Sequence, residues 1–306
     1  MPNTSRANIL FYKLLSLFSV VRGYNILMLV VAQYLAAVFI FSQQRSLKQV
    51  LTDYHLLYLV LASSCVVAAG YIINNFYDVK ADLINRPIKA KLDAYLNQET
   101  RLSLYFALNF LGFAFGGLVS LRAAVFFACY IFGIWMYSHK LKKHPLLGLI
   151  TISILTIMPF FVVFIHYKNF SKVIFVHACF LFLVIALREI IKDLENIQGA
   201  VVNNYNTFPV KYGEQNAKKL IIFLLTLTSI PATILLNYKS INYMKYYFYF
   251  AIFILAFVGF YLLKASSKDQ YRLLHNLLKI LLLIGVFSLL FIDKSLVLDK
   301  IVHIFH

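Results

Sequence analysis

The chain has 306 residues, of which 61% are hydrophobic and only 13% are charged, and its mean hydropathy is +0.78. A soluble domain of this length could not bury so much apolar surface, so the composition predicts an integral membrane protein. The formal net charge of +17 does not indicate nucleic-acid binding. The basic residues lie in short segments between apolar runs and form no nucleic-acid-reading motif.

Apolar stretches of about 20 residues predict an all-α, polytopic membrane protein, a bundle of about nine transmembrane helices. We expect residues 1–306 to form a single integral-membrane domain, with a retained amphipathic segment before the first span. The predicted spans lie near residues 23–41, 55–75, 102–120, 123–138, 146–166, 173–187, 220–236, 246–263 and 277–291.

The Lys and Arg residues predict the orientation of the bundle. Most of the 29 lie in the N-terminal segment and in the segments after the second, fourth, sixth and eighth spans. Because positive charge is retained on the cytoplasmic side, we expect a multi-pass cell-membrane protein with a cytoplasmic N-terminus. The segments that follow the second and sixth spans then face the cytoplasm as well.

Oxygen-bearing side chains recur every fourth residue at the end of the second span. Asn74, Asp78 and Asp82 would project from one face of a helix. Such oxygens suit Mg²⁺, which binds carboxylates together with substrate phosphates. Arg86 follows and offers a fixed cation for phosphate, and Pro87 marks a helix boundary. A solvated helix end is the alternative interpretation of this pattern taken alone.

A second acidic cluster favours the functional interpretation. Glu189, Asp193 and Glu195 close the sixth span, and the first two are again four residues apart. Carboxylates at membrane depth are costly and tend to mark function. We expect both clusters to face one cavity that can hold a pair of metal ions around a diphosphate, with Asp78, Asp82 and Asp193 as catalytic metal ligands. Asn196 is a further candidate ligand.

Other polar residues are candidates for substrate binding. Lys140 and Lys142 lie between the fourth and fifth spans, where they either anchor the chain at the cytoplasmic face or neutralise phosphate. Asn25, early in the first span, either joins two helices or contacts substrate. We group all three with Arg86 as candidate substrate-binding residues.

These parts suit an isoprenoid diphosphate. An allylic carbon–oxygen bond ionises readily once the departing diphosphate is neutralised and water is excluded. Metal ions and cations would hold the diphosphate, and an apolar chamber would hold the tail. A secondary transporter is disfavoured, because matched halves with broken helices are missing from the pattern.

Two motifs resemble those of the UbiA superfamily of intramembrane prenyltransferases. The first reads NNFYDVKAD (residues 74–82) and the second DLENIQGA (residues 193–200), with VRGYN, INRP and YSHKLKKHPLLG as similar flanks. The resemblance implies a nine-helix bundle, Mg²⁺, a prenyl diphosphate donor and a small-molecule or lipid acceptor. Its INRP and REIIKDLEN segments resemble the branch that transfers geranylgeranyl to a glycerophosphate lipid.

The chain departs from the family motifs at three positions. Asn75, Asn196 and Ala200 stand where the family has aspartate. Glu189 or Glu195 are candidate substitutes. Two alternatives to the glycerophosphate reaction are an aromatic or quinone-precursor acceptor, and a weakened paralogue that only binds lipid.

Overall fold

The computed structural model describes residues 6–42 and 45–292, with side chains from residue 11 onward. Within these ranges the chain is helical and contains no β-strand. The helices are α1 Arg6–Val20, α2 Gly23–Ala36, α3 Leu47–Leu51, α4 Tyr54–Asn85, α5 Pro87–Asp93, α6 Gln98–Val119, α7 Leu121–His139, α8 Pro145–Tyr167, α9 Lys172–Glu195, α10 Ile197–Val202, α11 Phe208–Leu236, α12 Lys245–Lys264 and α13 Lys268–Ser288. A π-helical turn, Ala37–Phe41, extends α2, and short 3₁₀ turns span Leu141–Lys143, Lys239–Met244 and Leu289–Phe291.

Nine helices in the described part of the chain are long and apolar enough to cross a membrane. They are α2 with its π turn, α4, α6, α7, α8, α9, α11, α12 and α13. The prediction of an all-α, multi-pass membrane protein is therefore confirmed.

The two spans that carry the acidic clusters are among those that run further than hydropathy predicts. The helix α4 continues to Asn85 rather than ending near residue 75, and α9 continues to Glu195 rather than ending near residue 187. Hydropathy detects only the apolar part of a helix. The extensions of α4 and α9 carry polar side chains that form hydrogen bonds within the protein. Both acidic clusters therefore project from continuous, rigid helices.

The two helices that carry the clusters form the centre of the bundle. The helix α4 packs against α2, α6, α7, α8 and α10, while α9 packs against α8, α11 and α13. The short helix α10 approaches α4 closely at Gly199, where an added Cβ would lie 2.1 Å from Asn85 Nδ2. This contact brings the second cluster against the first.

A buried polar network fixes the segment that follows the first cluster. The Asp93 carboxylate accepts hydrogen bonds from Ser19 Oγ at 2.7 Å, Lys89 Nζ at 2.6 Å and Asn75 Nδ2 at 2.9 Å. Arg101 donates to Asn75 Oδ1 at 3.0 Å and to the Asp93 carbonyl. The network joins α1, α4, α5 and α6, so Asn75 is a structural residue on another face of α4.

The close approach of α4 and α6 can be tested at two glycines of α6. A Cβ at Gly112 would lie 2.5 Å from Val66 Cγ2 and 3.2 Å from the Ala62 carbonyl, whereas a Cβ at Gly117 meets nothing within 4 Å. Overpacking costs about 1–3 kcal/mol. We expect Gly112→Ala to lower the melting temperature in detergent and Gly117→Ala not to lower it. Equal melting temperatures would contradict this helix packing.

Candidate active site

A cavity of about 130 Å³ lies where α4, α9, α10 and the turn before α8 meet. Side chains from both acidic clusters line it together with several cations. The polar lining residues are Arg22, Asn74, Asp78, Asp82, Asn85, Arg86, Tyr137, Lys142, His144, Glu189, Lys192, Asp193, Asn196, Tyr205 and Thr207. The structure thus brings together two sequence motifs more than 100 residues apart.

Lys142 binds the stripe of oxygens on α4. Its ammonium donates to Asn74 Oδ1 at 2.9 Å and to Asp78 Oδ1 at 2.7 Å, and its side chain is 7% exposed. The same ammonium lies 4.9 Å from the centre of the Tyr205 ring, a cation–π contact. These oxygens and the Tyr205 ring therefore attract a cation at the position where a metal ion would bind.

Tyr205 closes the cavity from the loop between α10 and α11. Its hydroxyl donates to Asp78 Oδ1 at 2.9 Å. Burial raises the pKa of the Tyr205 hydroxyl, and the neighbouring Asp78 carboxylate raises it further. The hydroxyl therefore stays protonated at neutral pH and acts as a donor to the carboxylate.

One carboxylate from each cluster is available for a ligand. In the part of the chain that the structure describes, the side chains of Asp82 and Asp193 have no hydrogen-bond or ion-pair partner, and both line the cavity. Unpaired carboxylates in a recessed site are unfavourable unless a cation binds them. They point to a cationic ligand between α4 and α9.

The glutamates of the second cluster are already paired. Glu189 lines the cavity, but its two oxygens accept from Arg188 at 2.6 Å and Lys192 at 2.5 Å. Glu189 was a candidate to replace one of the missing aspartates as a metal ligand. Both of its oxygens already accept hydrogen bonds from cations, so neither is free to bind a metal ion.

Glu195 does not line the cavity. Its carboxylate accepts from Arg272 Nε at 3.1 Å and from His275 Nδ1 at 3.0 Å, which joins α9 to α13. Arg188 donates to His275 Nε2 at 3.3 Å, so the His275 proton resides on Nδ1. Glu195 is thus part of a helix-to-helix contact.

The oxygen donors of the first cluster suit a hard divalent cation. Asp78 and Asp82 supply carboxylates and Asn74 an amide oxygen from successive turns of one helix face. Across the residues that are described, no group of three or more His, Cys, Asp and Glu side chains forms a metal-binding arrangement. An amide oxygen and phosphate oxygens would have to complete the coordination.

Two of the candidate substrate-binding residues lie outside the cavity lining. Asn25 donates to the Tyr71 hydroxyl at 3.3 Å, which links α2 to α4 and agrees with the helix-joining alternative. Lys140 is exposed and is not part of the lining, whereas Lys142 points inward from the same turn.

The structure adds lining residues that sequence reasoning missed. Arg22 precedes α2 with a left-handed backbone (φ 51°) and lines the cavity; only the VRGYN flank drew attention to it. Asn85 and Tyr205 also line the cavity. No sequence pattern marks Tyr205, because its role depends on how the loop after α10 folds back over α4.

A second cavity, of about 160 Å³, is almost entirely apolar. It lies between α2 with its π turn, α8, α9, α12 and α13, and Ala178 and His177 are among its lining residues. His177 Nδ1 donates to the Val173 carbonyl at 2.8 Å, and its Nε2 has no hydrogen-bond partner. From Asp193 to Ala178 the distance along α9 is about 22 Å, at 1.5 Å per residue.

Comparison with known proteins agrees with the fold and the motifs. Residues 48–283 match the UbiA prenyltransferase family. The chain therefore belongs to the UbiA prenyltransferase family and is an enzyme that transfers prenyl groups.

Relatives and solved structures are similar over most of the chain. Digeranylgeranylglyceryl phosphate synthase of Methanobrevibacter smithii is 27% identical, over 74% of this chain and 80% of that protein. The digeranylgeranylglyceryl phosphate synthase of Methanosphaera stadtmanae is 29% identical, over 75% of this chain and 86% of that protein. A structure of digeranylgeranylglyceryl phosphate synthase has a TM-score of 0.69 at 20% identity and covers 90% of this chain and 97% of that one. A UbiA homolog from Archaeoglobus fulgidus bound to GPP and Mg²⁺ has a TM-score of 0.67 at 12% identity and covers 90% and 99%.

Lys142 should stabilise the protein in the absence of metal ions. Lys142→Met keeps the bulk of the side chain but leaves Asp78 without its ammonium partner, which costs about 3 kcal/mol for a buried pair. We expect a lower melting temperature in metal-free detergent solution. Lys140→Met, in the same turn but exposed, is the matched control and should not change it. Equal effects of the two substitutions would contradict the ion pair.

Proposed function

We propose that this prenyltransferase uses Mg²⁺ to transfer a geranylgeranyl group from its diphosphate to a hydroxyl group of a glycerophosphate ether lipid. The observation that carries the proposal is the cavity in which the oxygen stripe of Asn74, Asp78 and Asp82 faces Asp193 among four cationic side chains. The names of the relatives support the acceptor, and the homolog bound to GPP and Mg²⁺ supports the donor and the metal.

The first cluster would hold the metal ion. Asn74, Asp78 and Asp82 supply the protein oxygens, and the diphosphate supplies others. Bound Mg²⁺ would stabilise the negative charge that develops on the departing diphosphate. Lys142 would then exchange its contacts with Asn74 and Asp78 for phosphate oxygens, because it lies at the same place in the cavity.

Fixed cations would orient the diphosphate. Arg22, Arg86 and Lys192 line the cavity from three different segments, so they reach the ligand from different directions. Guanidinium groups bind phosphate oxygens in pairs, which fixes orientation as well as charge. The diphosphate would be held with its allylic carbon toward the apolar interior.

The proposed transfer breaks one carbon–oxygen bond and forms another. The bond between the allylic carbon and the diphosphate oxygen breaks, and its electron pair leaves with the diphosphate. A lone pair of the acceptor hydroxyl forms the new carbon–oxygen bond, and the hydroxyl proton passes to the released diphosphate. Apolar side chains around the reacting carbon would keep water from competing with the acceptor.

The topology supports a cytoplasmic site in the cell membrane. The cavity adjoins the segments after the second, fourth and sixth spans, which are rich in Lys and Arg. By the positive-inside rule these segments are cytoplasmic. The prenyl tail would extend into the bilayer-embedded part of the bundle.

The proposal predicts the effect of single carboxylates on transfer. Asp78→Asn and Asp82→Asn should each lower Mg²⁺-dependent transfer of labelled geranylgeranyl to geranylgeranylglyceryl phosphate by about 100-fold, because each removes a charge from the metal site. Asp269→Asn is the control, since its side chain is 87% exposed and distant from the cavity lining.

Unchanged transfer in both site variants would overturn the residue assignment. Transfer to an aromatic acceptor but not to the glycerophosphate lipid would replace the acceptor. Neither product nor diphosphate release from folded protein would favour the lipid-binding alternative.

The second cavity would receive the far end of the prenyl chain. Ala178→Phe fills this cavity and should lower the use of geranylgeranyl diphosphate relative to geranyl diphosphate, whose chain is half as long. Cys179→Phe, at the next position of α9 but exposed and not part of the cavity lining, is the matched control. An unchanged ratio of the two substrates in Ala178→Phe would place the tail elsewhere.

A further inference from the structure

The two acidic clusters differ in the oxygens that they offer to a metal ion. The first presents three side chains on one helix face, Asn74, Asp78 and Asp82, all lining the cavity. The second presents one unpaired carboxylate, Asp193. The asymmetry is larger than the sequence shows, because the structure also pairs both glutamates of the second cluster with other residues.

Those other groups cannot readily become ligands. Asn196 lines the cavity but offers only a neutral amide oxygen, and its Nδ2 donates to the Lys192 carbonyl at 2.7 Å. Ala200 presents only a methyl group to the cavity. Glu189 accepts two charged hydrogen bonds, and Glu195 is turned toward α13. Mg²⁺ is usually bound by one or two carboxylates together with water and substrate phosphates, so the single unpaired carboxylate of the second cluster is a weaker anchor than the three oxygen-bearing side chains of the first.

The charge of the cavity points in the same direction. Four basic residues and four acidic residues line it, so the side chains balance before any ligand binds. Lys192 is among these cations and is the immediate neighbour of Asp193 in the chain. The Lys192 ammonium is held by Glu189 at 2.5 Å, so unlike Lys142 it does not occupy the metal-binding oxygens, and from this position it repels a second divalent ion and attracts the diphosphate.

We propose that this active site uses one Mg²⁺, bound by the first cluster, and that the Lys192 ammonium supplies positive charge to the diphosphate where a second metal ion would otherwise do so. The inference rests on the proposed function. Aspartates at positions 196 and 200 would add two negative charges, and a second Mg²⁺ would add two positive ones. A site that lacks both aspartates and the second Mg²⁺ therefore presents the same net charge to the diphosphate as a site that has all three.

The number of bound ions is directly measurable. Mn²⁺ replaces Mg²⁺, and bound ions are counted from the loss of the free Mn²⁺ signal in electron paramagnetic resonance. The sample is purified full-length protein in detergent, saturated with a non-hydrolysable geranylgeranyl diphosphate analogue. We expect one Mn²⁺ per chain in the wild type and two in the double variant Asn196→Asp with Ala200→Asp.

The outcomes separate this inference from the proposed function. Two Mn²⁺ ions in the wild type would overturn the single-metal site and leave the proposed function standing. No bound Mn²⁺ would overturn both. One ion in the wild type and one in a folded, monodisperse double variant would mean that positions 196 and 200 do not control the count. The wild-type count decides the main point even if the double variant fails to fold.

Lys192→Met tests the part assigned to the ammonium. We expect it to weaken binding of the analogue about tenfold, the loss of one charge-assisted contact, without changing the count of one Mn²⁺. Unchanged analogue affinity would show that Lys192 serves Glu189 alone. Lys140→Met, exposed and outside the lining, is the control for a general loss of positive charge.

Discussion

The contact between Lys142 and the oxygen stripe of α4 is the interaction on which the site depends. A carboxylate held inside a membrane protein needs a positive partner, and Asp78 has the ammonium at 2.7 Å. The turn between α7 and α8 must fold inward to deliver that ammonium, and the loop after α10 must fold over it to bring the Tyr205 hydroxyl. The oxygens that attract this ammonium would attract a metal ion for the same electrostatic reason.

Polar residues on a second face of α4 hold the surrounding segments. Asn75 follows Asn74 directly, yet helix geometry turns it by about 100° from the stripe, toward Asp93 and Arg101. That network fixes α5, and therefore the position of Arg86 immediately before it. One helix thus lines the cavity with one face and holds neighbouring segments with another.

Local patterns predicted the parts of the site that lie within one helix. The four-residue spacing of Asn74, Asp78 and Asp82 was enough to predict that they share one face, because the helical repeat alone places them there. The nine spans followed from hydropathy, although their polar extensions did not. Arg22 and Tyr205 escaped prediction because tertiary folding, and not spacing, carries them to the cavity. The same holds for Glu195, whose partners Arg272 and His275 come from α13. The partners of Glu189, by contrast, are Arg188 and Lys192 of its own helix.

The position of a metal ion relative to α4 tests the central claim most directly. A structure of the protein with Mn²⁺ and a non-hydrolysable geranylgeranyl diphosphate analogue would locate the ion by its anomalous scattering. We expect a peak bonded to Asp78 and Asp82, with the diphosphate between α4 and α9 and the tail directed toward Ala178. A peak away from α4, or a diphosphate bound outside this cavity, would contradict it.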